Sequence, residues 1–131
     1  DPELRRRTGE ALLLLLDRMD DLQKPEILAA LFRASAAGKL SFDQFRRLGS
    51  AIDLAIVADL RELAAGRDRT AGQPGKHLEN LMRTGLTALS QTGIPMREGS
   101  GRSVVYNGLR VTELGVLFER TIRDFYPELA I

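Results

Sequence analysis

The sequence predicts a mainly helical fold, a bundle of four or five helices carrying one β-hairpin. Apolar residues recur at helical spacing through most of the chain, the period of helices buried on one face. Helix-start residues, Pro25, Ser41 and Thr112, stand just before these periodic stretches. Strand-forming residues gather in one region, residues 94–111, together with the turn pair Asn107-Gly108.

The first helix is expected over residues 3–20, with Leu4, Ala11, Leu12, Leu15, Leu16 and Met19 at near-helical spacing and Leu22 beyond. Leu12, Leu13, Leu14, Leu15 and Leu16 are consecutive and reach around most of that helix. A helix apolar on several sides is either deeply buried or shared between two surfaces. Leu12, Leu13, Leu14 and Leu16 are therefore candidate dimer contacts. Pro25 suits the first position of a second helix, where its missing N–H costs nothing. Ile27, Leu28, Leu31 and Phe32 form the stripe of that helix. Gly38 fits a left-handed position past its end.

Ser41 opens a third helix, and Gln44 three residues on completes a capping box. This helix carries Phe42, Phe45, Leu48, Ile52, Leu54, Ile56, Val57, Leu60 and Leu63 and ends near Gly66. Gly49 marks a candidate break, with Ser50 and Asp53 as a second start signal. Residues 66–75 hold three glycines and Pro74 and read as a surface loop. A fourth helix begins at Lys76 or His77, with Leu78, Leu81 and Met82 inward. It ends at Gly85 or runs on through Leu86 and Leu89 to about residue 91. Leu109-Arg110-Val111 leads into Thr112, an N-cap. The last helix spans residues 113–125 and buries Leu114, Leu117, Phe118, Ile122 and Phe125. The whole chain reads as one domain: a helical base over residues 1–65, the loop, and a second half over residues 76–131.

Leu81-Met82-Arg83-Thr84-Gly85-Leu86, the hairpin candidate over residues 94–109 and Thr112-Glu113-Leu114-Gly115 together resemble the second half of a winged-helix domain. The resemblance implies a helix that exits through Gly85-Leu86, a two-stranded wing with a tip at Gly99 and Gly101, and a terminal helix capped by Thr112. The ten residues of the loop at 66–75 replace the usual tight turn. Lys24-Pro25-Glu26-Ile27-Leu28 and Gly38-Lys39-Leu40-Ser41-Phe42-Asp43-Gln44-Phe45 resemble a domain of uncharacterised bacterial proteins, some with membrane-anchored upstream parts. That likeness implies no function.

Composition excludes several chemistries. The 131 residues are 44% hydrophobic and 28% charged, ordinary values for a folded domain. No cysteine is present, so disulfides, thiolate zinc sites and cysteine nucleophiles are excluded. A chain without cysteine fits a cytoplasmic location. The net charge of +1 is far from that of a dedicated nucleic-acid binder. The apolar run at residues 11–16 is too short to span a bilayer. Arg5-Arg6-Arg7 ahead of it lacks the cleavage site of a signal peptide. The chain opens at Asp1 rather than methionine, and a longer parent protein is the expectation.

The candidate sites are few. A calcium loop with Gly38 at its sixth position would place Arg33 first and Gln44 twelfth, where carboxylates are needed. His77 is the only histidine and has no paired carboxylates beside it in sequence, so neither a metal site nor a serine-based triad is expected. Asp53 and Asp59 are expected to pair with Arg46, Arg47 or Arg61. No catalytic residue, cofactor site or metal site is expected.

Arg67, Arg69, Lys76, Arg83, Arg97 and Arg102 surround the loop, the fourth helix and the wing, six basic residues against Asp68, Glu79 and Glu98. They are the candidate nucleic-acid contacts. The leading expectation is a non-catalytic protein-interaction or regulatory module, with a protein partner or a second copy of itself. The alternative is a DNA-binding winged-helix regulator.

Overall fold

The computed structural model describes residues 1–19, 21–66, 76–89, 95–98, 101–104 and 109–131. The fold is mainly helical, as the periodicity predicts. Helix α1, Pro2–Leu16, begins with Asp1 as N-cap, whose side chain accepts from the amide of Glu3 at 3.0 Å. It stops at Leu16 instead of reaching residue 20. Beyond it, the amides of Arg18 and Met19 reach back three residues, to Leu15 and Leu16, in the tighter pattern that ends helices.

Helix α2, Lys24–Ala36, lies at the centre and packs against α1, against α3, Phe42–Leu54, and against α6, Glu113–Phe125. Gly38 has φ 77° past the end of α2. Its amide bonds the Ser35 carbonyl and that of Lys39 bonds Ala34, a Schellman closure. Ser41 and Gln44 form the expected capping box, with bonds of 3.1 and 2.9 Å.

The break in the third helical stretch falls at Ala55 and Ile56, not at Gly49. Both residues are extended, and α4, Val57–Ala64, starts anew after them. Gly49 is instead buried where α1 crosses α3. A Cβ there would lie 2.4 Å from a Leu15 methyl. The glycine serves close packing and leaves the helix unbroken.

Helix α5, Lys76–Asn80, is short and tightens into a 3-10 turn, Leu81–Thr84. Gly85, with φ 87°, ends it, so the helix does not run on to residue 91. Leu78 and Leu81 are buried as expected, whereas Met82 is exposed. The segment after Leu86 is a strand. β1, Thr87–Leu89, pairs antiparallel with β4, Leu109–Val111, opposing Thr87 to Val111. Between them in the chain, β2, Pro95–Glu98, pairs with β3, Gly101–Val104. The wing candidate is thus a nested pair of ladders. The Asn107-Gly108 turn, Gly99 and the surface-loop residues 67–75 lie outside the described residues.

One buried apolar cluster joins the two halves of the chain. Ile27, Leu28 and Leu31 of α2 and Phe45, Leu48 and Ile52 of α3 meet Leu60, Leu63, Leu81, Leu86, Phe118 and Ile122, all essentially without exposure. Helix α6 carries the strongest one-sided pattern and has the predicted boundaries. Its end is fastened to α2. Arg33 donates to the Phe125 carbonyl at 2.7 Å, and the Tyr126 hydroxyl donates to Glu26 at 2.5 Å. That bond, with desolvation and the Glu26 charge adding to it, holds the Tyr126 hydroxyl above the ordinary tyrosine range.

The start of α6 lies hard against Leu86. A Cβ on Gly115 would sit 2.2 Å from the Leu86 carbonyl oxygen and 2.6 Å from a Val111 methyl. Gly115→Ala is therefore expected to lower stability by about 1–3 kcal/mol, because backbone must move. Gly9 in α1 has open space around it, and Gly9→Ala is expected to raise stability by about 0.5–1 kcal/mol through helix propensity. Urea unfolding of both variants checks the opposite signs. Equal effects would contradict this packing.

Candidate interaction surface

Four of the six candidate nucleic-acid contacts lie on α5, the 3-10 turn after it and the β2–β3 ladder. Lys76 on α5 and Arg83 on the 3-10 turn are exposed. Arg97 and Arg102 are directly opposed in the β2–β3 register. Arg67 and Arg69 lie outside the described residues. The α5 segment also exposes Glu79, Asn80 and Met82. Met82 and Ile56 are 37% and 55% exposed, and with Glu79, Asn80 and Arg83 they line an open cleft of about 600 Å³. This face is mixed in character, basic at Arg83 and apolar beside it.

On α1, the leucine run divides in two. Leu12, Leu15 and Leu16 are half-buried and pack against the core. Leu13 and Leu14 turn outward, 67% and 69% exposed. The split follows from the helical turn: adjacent residues sit about 100° apart, so five in a row cannot all face one neighbour.

The paired acids have other partners than Arg46, Arg47 or Arg61. Asp53 pairs with Arg18 at 2.9 Å, and Lys24 donates to the Asp53 carbonyl at 3.0 Å. These contacts join the segment after α1, the start of α2 and the end of α3. Arg47 turns to Asp43 at 2.7 Å, and Arg46 lies 5.9 Å from the Phe42 ring centroid. Asp59, buried on α4, lies 2.6 Å from Nδ1 of His77. A carboxylate only accepts, so Nδ1–H is the donor. His77 thus ties α5 to α4. Nothing in the sequence marked this pair, eighteen residues apart.

Sequence reasoning also missed a groove between α3, β4 and α6. Two adjoining clefts, of about 760 and 530 Å³, share Arg47, Arg110, Glu113 and Leu114. Arg46 lines the first and Arg120 the second. No signal links Arg46 and Arg47 to Arg110 and Arg120 along the chain; tertiary packing brings them to one lining.

Among the described residues, no cluster of His, Cys, Asp and Glu could hold a metal ion, and no helix is long and apolar enough to cross a membrane. Comparison with protein-family models, curated proteins and solved structures finds no match.

Removing the ring of His77 leaves a buried carboxylate without it. His77→Ala is expected to cost about 1–3 kcal/mol. Chemical denaturation measures this, and an unchanged midpoint would show that the contact contributes nothing.

Proposed function

We propose that this domain is a non-catalytic protein-interaction or regulatory module whose second half is winged-helix-like and whose first helix associates with a second copy of the chain. The outward pair Leu13 and Leu14 carries this reading. Two adjacent leucines at 67% and 69% exposure leave apolar surface in water on a helix whose Leu12, Leu15 and Leu16 are already packed. Covering them would gain free energy in proportion to the area removed from water. The helix-exit, hairpin and capped-helix order supports the winged-helix-like part of the reading. Winged helices serve several functions, so the fold alone does not choose among them.

Sedimentation velocity tests the association. Leu13→Asp combined with Leu14→Asp is expected to shift the protein to monomer while circular dichroism keeps its helical signal. A wild-type monomer at high concentration would discard self-association.

A second reading, a DNA-binding regulator, draws support from exposed Lys76 on α5 and Arg83 on the 3-10 turn, both ahead of the strands. If it holds, duplex DNA binds with a steep salt dependence, and Arg83→Ala reduces the slope by about one. Absence of duplex binding at low salt would discard it.

A further inference from the structure

We propose that the groove between α3, β4 and α6 binds an acidic, leucine-bearing peptide segment of a partner protein, an inference that rests on the interaction-module reading and adds a second surface to it. Arginines from three elements converge there. Arg47, Arg110 and Arg120 line one cleft, and Arg46 joins Arg47 and Arg110 in the adjoining one. Against these stand only Asp43 and Glu113, so the lining is net positive.

Arg47 is engaged by Asp43 at 2.7 Å. Arg110 and Arg120 pair with no carboxylate among the described residues, and both are exposed. Each guanidinium offers a planar fork that matches a carboxylate bidentately. The groove also has an apolar lining, in which Leu114 and Val116 take part, and Val116 is 52% exposed. A phosphate backbone gains nothing from that lining. A segment alternating carboxylates with leucines satisfies both features, its acids on Arg110 and Arg120 and its leucines over Val116.

Fluorescence anisotropy tests this with a labelled synthetic peptide of alternating glutamate and leucine pairs, an all-glutamate peptide and a duplex DNA. The glutamate–leucine peptide is expected to bind saturably and more tightly than the all-glutamate one. Arg110→Glu with Arg120→Glu is expected to weaken it at least about tenfold, as loss of charge-assisted contacts implies. Both side chains are exposed, and an unchanged melting curve confirms that the variant folds. Val116→Ser reads the apolar part and is expected to narrow the difference between the two peptides. No saturable binding, or equal binding by the double variant, overturns the proposal. Tighter binding of duplex lost in the same variant overturns it in favour of a nucleic acid. Leu13→Asp with Leu14→Asp is expected to keep peptide binding; its loss there would move the site to α1 and overturn the groove. Wild-type self-association persisting without peptide binding would overturn the groove alone.

Discussion

The second half of this chain hangs on the contact between Leu86 and the first turn of α6. The Thr112 amide donates to the Leu86 carbonyl at 3.0 Å, and the Thr112 hydroxyl donates to the Gly85 carbonyl at 2.6 Å. The same hydroxyl accepts from the Gly115 amide at 3.1 Å, which caps the helix. One threonine therefore satisfies the carbonyls leaving a helix and a free amide of the next helix. The close approach is sterically open only because residue 115 has no Cβ. Gly85 completes the arrangement by turning the chain into a left-handed conformation before Leu86.

From that contact the rest of the layout follows. Leu86 enters the core, and Thr87 begins the ladder with Val111 next to it. The pairing of Ala88 with Arg110 places the arginine on the outer side of the ladder, at the mouth of the groove with α3. α6 then lies across α2, closed at its far end by Arg33 and Tyr126. Buried polar groups act as staples at the edges of this core. Thr87 donates to the Leu78 carbonyl, and Asp59 holds His77. Leaving such groups unpaired costs more than the bonds contribute, so they specify which surfaces meet.

Much of this was legible from residues alone. The last helix, its Thr112 cap, the Ser41–Gln44 box and the hairpin region rest on local rules, and local rules need no knowledge of the rest of the chain. Gly49 misled because a glycine inside a helix reads equally as a break or as room for a neighbour; only Leu15, thirty-four positions away in the chain, decides between them. The true break at Ala55 and Ile56 carries no glycine or proline and was invisible locally. Strand β1 was hidden because Leu86 and Leu89 also continue a helical spacing, and its partner lies across the hairpin. The candidate surfaces divide in the same way. The leucine run announced α1, but which leucines point outward depends on where α2 and α3 lie. The arginines of the groove are scattered from 46 to 120 and come together only through tertiary packing.

Amide hydrogen exchange in the native state reads the central contact directly, residue by residue. The account predicts that the Thr112 and Gly115 amides exchange only through global opening, with protection equal to that of core amides in α2 and α6. Exchange of these two amides on the fast timescale of the fraying chain ends would show that the helix start is not held by Leu86 and Thr112, and would contradict the account.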